Sequence, residues 1–258
     1  MSARIEKRFS SLRHQGRKAF IPYIMAGDPD LKKTESLIYL LEECGADIIE
    51  LGVPFSDPLA DGPTIQRAAE RALRGGTTLT KVISLVASVR KKTGIPIVLM
   101  TYYNPVFKYG EKKFVADAVK AGVDGAVIPD LPPDEAEGFI RETRAQGFAT
   151  IFLLAPTSTK KRIRLVARKS SGYIYYVSMT GITGARLKLD STIEQMIRKI
   201  RTVSKKPVCV GFGVSNPREA RAVAGLGDGV IIGSAIVRTQ HATPSRLRKF
   251  LVELRKAI

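Results

Sequence analysis

Two carboxylates, Glu50 and Asp61, mark out the stretch ELGVPFSDPLADGP, residues 50–63. Glu50 closes the apolar run of IIELG, where a charged group is expensive to bury, and no basic residue lies close by in sequence to pair with it. An acid in such a place, partly buried at the mouth of a site, has its pKa raised and is kept ready for proton transfer. Asp61 follows in a loop stiffened by Pro54, Pro58 and Pro63 and bent at Gly52 and Gly62. Alone it reads as the first residue of an Asp-Gly turn. Paired with Glu50 in one loop, it reads as a second acid folding back over the same mouth. Competing chemistries lack their residues. A Schiff-base aldolase needs a lysine pointing inward from a strand end, and the nearest, Lys108 in NPVFKYG, reads as a loop surface residue. The histidines are His14 and His241 and the cysteines Cys44 and Cys209, far apart in sequence, so metal chemistry would rest on carboxylates alone and no metal is expected. Both cysteines sit in apolar surroundings and read as buried reduced thiols.

The elements that must hold these acids alternate along the chain. Short Val- and Ile-rich runs predict strands at 19–25, 47–51, 96–100, 125–128, 149–154, 173–177, 207–211 and 229–233. Amphipathic helical patterns fall between them, and the last, PSRLRKFLVELRKAI, would dock Leu247, Phe250, Leu251 and Leu254 on the wall of the fold. Eight strand–helix units predict an α/β fold, a single-domain (β/α)8 TIM barrel, with an extra N-terminal helix and an extra helix, TIQRAAERALRGG, after strand 2. An open doubly wound sheet is the rival, disfavoured by the evenness of the units. With no linker or low-complexity tract, one domain over residues 1–258 is expected.

In such a barrel the active site forms at the C-terminal ends of the strands, and phosphate is commonly held after strands 7 and 8. GFGVSNP (211–217) and IIGSAIVR (231–238) end those strands, and GITGA (181–185) follows strand 6. Gly211 and Gly213 allow close approach of backbone to ligand, while Gly233, Ser234 and Ala235 would present N–H groups at the start of a short helix. Three glycine-bearing junctions in a row point to a phosphorylated substrate. Tyr23, Met100, Tyr102, Val127, Tyr175 and Phe212, all near strand ends, are candidates for the pocket wall, and each is equally a candidate for plain core packing.

The formal charge of +18 could signal a polyanionic partner. The cations are scattered over the polar positions of the helices, however, as on a solvated outer face, and no nucleic-acid-binding motif accompanies them. No apolar run approaches the roughly 18–20 residues of a membrane span. The first residues lack the apolar core of a secretory signal, and Glu6 disfavours an organellar leader, so a cytoplasmic location is expected.

The segments PYIMAGDPD, IIELGVPFSDPLADGPTIQRA, YYNPVFKYG, IPDLP, GITGA, GFGVSNP and IIGSAIV together resemble the α subunit of tryptophan synthase, in the same order and over essentially the whole chain. The resemblance implies a lyase that cleaves indole-3-glycerol phosphate to indole and glyceraldehyde 3-phosphate. It implies that Glu50 shuttles protons at indole C3 and the side-chain hydroxyl, and that Asp61 binds the indole N–H and stabilises the developing positive charge. Phosphate would be held by Gly184, Gly213, Gly233 and Ser234. Tyr175 and Thr183 would line the pocket, with Thr183 on a lid that positions Asp61. The family works as an α2β2 complex that hands indole to a β subunit carrying pyridoxal phosphate, with no cofactor in the α chain. Pro54, Asp57, Asn104 and Pro105 match β-facing positions. Met25, Met179 and Tyr23 depart from the family's commoner residues, and none of the three is itself one of the carboxylates or phosphate glycines. The resemblance leaves open a stand-alone lyase that releases free indole, and a silent subunit that only activates β.

Overall fold

The structure is a computed structural model that describes residues 2–177, 191–211 and 213–258. Nine strand segments form one parallel sheet: β1 (Ala19–Met25), β2 (Ile49–Gly52), β3 (Ile97–Met100), β4 (Gly125–Val127), β5 (Ala149–Ile151), β6 (Leu153–Leu154), β7 (Ile174–Val177), β8 (Val208–Gly211) and β9 (Gly229–Ile232). Their order is β5-β4-β3-β2-β1-β9-β8-β7-β6. The two edges of that order, β5 and β6, are successive pieces of one chain segment, interrupted only at Phe152. One piece pairs with β4, and the next pairs with β7. The sheet is therefore a closed barrel of eight staves, and the open-sheet alternative falls. The sequence predicts one continuous strand over 149–154, and the barrel's stagger explains the break. Each stave is offset along its neighbours, so its two edges engage at different heights.

Alternation along the staves separates two apolar layers. On β1, Phe20 and Ile24 face the surrounding helices, while Ala19 and Ile21 belong to the barrel interior with Ile48, Val98, Val127, Ile151, Tyr173 and Cys209. The first helix, α1 (Ala3–His14), adds Ile5, Phe9 and Leu12 to that interior cluster from the side where the strands begin. Phe9 meets the Tyr173 ring at 6.0 Å between centroids. One mouth of the barrel is thereby plugged with apolar side chains, leaving chemistry to the other.

The strands' starting ends are tied by a recurring device. Asp47, Asp124 and Asp228 each donate a backbone N–H to a carbonyl of the preceding stave, those of Phe20, Ile97 and Val208. Each carboxylate in return accepts the N–H of that same residue at 2.9 Å. An arginine from the outer layer neutralises each acid: Arg255 at 3.0 Å from Asp47, Arg90 at 2.8 Å from Asp124, Arg201 at 3.4 Å from Asp228. Asp124 also receives Ser2 Oγ and Arg4 Nε, at 2.6 and 2.8 Å.

At the open mouth, α2 (Leu31–Glu43) follows β1, its first turn capped by the Asp30 carboxylate, which accepts from the Lys33 N–H. The extra helix after β2 is α3 (Pro63–Arg74), which buries Ile65, Ala68, Ala69 and Ala72 against Tyr23, Met25 and Val237. The outer helices continue with α4 (Leu79–Val89), then α5 (Tyr103–Tyr109), α6 (Glu111–Ala121), α7 (Glu137–Ala145), α8 (Lys160–Lys169), α9 (Ser191–Arg201), α10 (Pro217–Ala224), α11 (Ser234–Thr239) and α12 (Pro244–Ala257). The helix α5 has no counterpart in the sequence reading, which leaves YYNPVFKYG as loop. The Asp130 carboxylate accepts the Tyr103 N–H at 2.9 Å, and Pro105 sits in the first turn, where a missing N–H breaks no helical bond. Lys108 is exposed, as expected, but on a helix rather than a loop. On α12, Leu247, Leu251 and Leu254 are buried as expected, with Phe250 half-buried beside them.

Removing one acid of the basal device strands its arginines and one strand N–H together. Asp124→Ala is expected to lower stability by about 3 kcal/mol in urea unfolding, with no loss of the barrel's far-ultraviolet spectrum at zero denaturant.

Candidate active site

Glu50 faces the barrel interior from β2, in register with Tyr23 of β1 and Val98 of β3. It is fully buried. Oε1 accepts a 2.7 Å hydrogen bond from the Tyr173 hydroxyl across the barrel, while Oε2, equally buried, has no partner among the described residues. Burial pushes the carboxyl up to about 7, and the Tyr173 hydrogen bond pulls part of the way back. The sequence anticipates a raised acid but only partial burial, and burial here is complete.

Asp61 lies between β2 and α3, half-buried. Oδ2 accepts from the Tyr102 hydroxyl at 3.1 Å, and that hydroxyl oxygen accepts the Ala60 N–H at 3.0 Å. The loop is closed by the Asp61 N–H on the Pro58 carbonyl and by Gln66 Nε2 on the Asp61 carbonyl, at 3.0 and 2.8 Å. Burial lifts the Asp61 carboxyl to about 6 against the opposing pull of Tyr102.

Two tyrosines join the acids. The Tyr23 hydroxyl occupies the space over Gly52, and the Tyr175 ring that over Gly211. A Cβ on either glycine would collide with the aromatic side chain. Burial, then the charge of Asp61 followed by those of Tyr102, Glu50 and Tyr175, pushes Tyr23 well above the ordinary tyrosine range. Burial and then the charges of Glu50 and Asp61 do the same to Tyr175. Both phenols stay neutral, and each feels the charge of both carboxylates. Gly233, just before α11, lies with its Cα side facing the Tyr23 ring, where a Cβ would stand 3.5 Å away, and it is half-buried with Ser234. Gly213 is exposed. The structure thus gathers Glu50, Asp61, Tyr23, Tyr102 and Tyr175, with Gly233 beside them.

Other predicted positions fare differently. Val127 is fully buried within the interior apolar cluster, a core residue. Met100 is half-buried and packs between that cluster and the one under α3. Thr183, Gly184 and Phe212 lie outside the described residues, as do the GITGA segment and Met179. Asp57 and Asn104 are exposed and Pro105 half-buried, but Pro54 is buried and offers little surface to a partner, because it leads directly out of the barrel wall. Two exposed apolar side chains flank these positions: Leu59 at 83% and Phe107 at 66%. A groove of about 550 Å3 runs between the loop and α3, lined by Phe55, Pro58, Gln66 and Leu73 among others, and neither carboxylate lines it.

Sequence reasoning misses Tyr173. Its signal is the spacing in YIYYV: two residues before Tyr175, it must face the same interior. Among the described residues no group of His, Cys, Asp and Glu gathers as a metal-binding set.

Because Glu50 binds its proton more tightly folded than unfolded, the native state is progressively penalised as pH rises from about 4.5 to about 7, and the full penalty persists above that range. Glu50→Gln removes the titration while keeping a partner for Tyr173. Unfolding curves are expected to show the variant more stable than the parent at pH 8, by up to about 3 kcal/mol, with the gain gone near pH 4.

The family description "Tryptophan synthase alpha chain" matches residues 9–257. The tryptophan synthase alpha chain of Geotalea uraniireducens is 56% identical over 236 residues, covering 92% of this chain and 88% of that one. That of Geobacter sulfurreducens is 51% identical over 261 residues, covering 99% of each. Among solved structures, tryptophan synthase subunit alpha from Legionella pneumophila superposes with a TM-score of 0.91 at 39% identity, covering 99% of this chain and 98% of that one. With matches of this length and identity, and with the barrel and its paired acids in place, the chain belongs to the tryptophan synthase alpha chain family.

Proposed function

We propose that Glu50 and Asp61 are the acid–base pair with which this chain cleaves indole-3-glycerol phosphate to indole and glyceraldehyde 3-phosphate. The observation that carries the assignment is geometric: Glu50, fully buried and anchored on Tyr173 through one oxygen only, gathers with the Tyr102-bound Asp61 and with Tyr23 and Tyr175 at the open end of the barrel. Burial raises both carboxyls, Glu50 to about 7 and Asp61 to about 6, so both exchange protons near neutral pH, and the reaction starts with Glu50 as the acid and Asp61 as the carboxylate. In that state Glu50 gives its proton to indole C3, and the positive charge that develops on the ring nitrogen lies against the Asp61 carboxylate. The Glu50 carboxylate then takes the proton of the side-chain hydroxyl as the carbon–carbon bond to C3 breaks. The bonding pair returns to the ring and neutralises the nitrogen. Glu50 ends protonated, as it began, and neither lysine nor metal is required. The uncommitted Oε2 suits the shuttle, since one oxygen stays anchored on Tyr173 while the other is free for the substrate. Tyr23, Tyr102 and Tyr175 would line the indole pocket, and Gly184, Gly213, Gly233 and Ser234 would hold the phosphate.

The partner is a tryptophan synthase β subunit in an α2β2 complex; pyridoxal phosphate belongs to that subunit and no cofactor to this chain. Asp57 and Asn104, with the exposed Leu59 and Phe107, would meet it. An apolar surface of that kind at the open mouth of the barrel fits a partner that receives an apolar product. Among the described residues no helix is long and apolar enough to cross a membrane. A cytoplasmic location accords with the two free, buried cysteines, and one barrel domain over residues 1–258 accords with the closed sheet.

The test follows indole released from indole-3-glycerol phosphate, with and without a β subunit. Slow release alone and strong acceleration by β are expected, with Glu50→Gln silent in both while still binding β. kcat/KM, which reports the free enzyme, should fall below about pH 6 as Asp61 gains a proton and above about pH 7 as Glu50 loses one. Near-native activity in Glu50→Gln would refute the assignment.

A further inference from the structure

Another buried carboxylate lies outside both the pair and the basal device. Asp28, in the turn after β1, is 2% exposed. Its turn is fixed by other contacts: the Gly27 N–H donates to Thr34 Oγ1 at 3.0 Å, and Gly27, at φ +84°, fits so closely against Thr77 that a Cβ would collide with it. On this post two helices are moored. Arg71 of α3 donates Nε and Nη2 to the two carboxylate oxygens at 2.7 and 2.8 Å. Gln240, which ends α11, donates Nε2 to Oδ2 at 2.7 Å and to the Asp28 carbonyl at 3.3 Å. His241 completes the group, its Nε2 3.3 Å from Oδ2 and 3.2 Å from Arg71 Nη2. The far ends of these helices are the ones that matter chemically. α3 starts two residues after Asp61, and α11 starts at Ser234, next to Gly233.

We propose that Asp28 is a positioning residue that sets Asp61 and the phosphate-holding start of α11 at a fixed separation, through Arg71 on one side and Gln240 on the other. The proposal rests on the roles given above to Asp61, Gly233 and Ser234. A substrate gripped at its phosphate and at its indole nitrogen spans both helices, so their spacing decides whether the indole nitrogen reaches Asp61. Because each helix is tied by its own side chain, the two moorings can be cut separately.

Cutting them tests the idea in the full chain. Gln240→Ala frees α11 and is expected to raise KM, and the inhibition constant of inorganic phosphate, about 10-fold with kcat within about 2-fold. Arg71→Gln frees α3 and is expected to lower kcat about 10-fold while phosphate inhibition stays within about 2-fold. Asp28→Asn, which keeps the shape but gives up the charge, should move both parameters and serves if Arg71→Gln folds poorly. Arg74→Gln, three positions beyond Arg71 on α3 and exposed, should move neither. A purely structural role would lower melting temperature without dividing kcat from KM. Equal shifts of one parameter in both variants, or none, in a chain whose parent cleaves substrate, would overturn the proposal alone. A parent that released no indole would take the function above down with it.

Discussion

A carboxylic acid sealed inside an apolar barrel with one hydrogen bond is the constraint from which the rest of this molecule follows. Burial raises the Glu50 carboxyl and the Tyr173 hydroxyl pulls it part of the way back, to about 7, where it can both give and take a proton. A cation in reach would draw it back to the ordinary carboxylate range and end its use as an acid. The chain carries 42 lysines and arginines, yet none among the described residues contributes to the Glu50 shift. Period-two alternation on the staves and the polar stripes of the helices keep the cations outside. The high positive charge of the outer layer and the absence of a cation beside Glu50 among the described residues are two sides of one pattern.

Holding a buried acid in place requires a frame that does not relax around it. The strands' starting ends supply that frame: the Asp47, Asp124 and Asp228 devices tie each of three staves to its neighbour and to the outer layer through an arginine. The plug of α1 keeps water out from below, and its Phe9 backs the Tyr173 ring whose hydroxyl serves Glu50. Asp47 and Asp124 at the base are buried with several donors on each carboxylate, whereas the acids of the mouth have few partners and raised proton affinity. The same residue types serve stability at one end and proton transfer at the other, because the number of donors around each differs.

Much of this was legible in the chain. Glu50 stood out as an acid within an apolar strand, and Asp61 as its companion in a loop too rich in proline for helix or strand. The eight staves were legible because strands covered on both faces leave unbroken apolar runs. Less legible was α5, whose start depends on the distant Asp130 carboxylate, and the break at Phe152, which arises from the stagger of a closed barrel and has no local signature. The resemblance makes Pro54 a β-facing position, but the wall of the barrel continues through it and buries it. The family resemblance turned two suspicious acids into named roles that spacing alone would not assign.

By itself, then, the sequence determined the elements, the inward period of each stave and the two acids at one mouth, because these depend on residues close together in the chain. Only the tertiary structure decided what surrounds those acids. Tyr173 reaches Glu50 from 123 residues away, Tyr102 reaches Asp61 from 41, and Arg71 and Gln240 meet on Asp28 across separations of 43 and 212. Proton affinity is set by every dipole and charge within a few ångströms and by the loss of water. Which groups come that close is fixed by closure of the barrel, not by order along the chain.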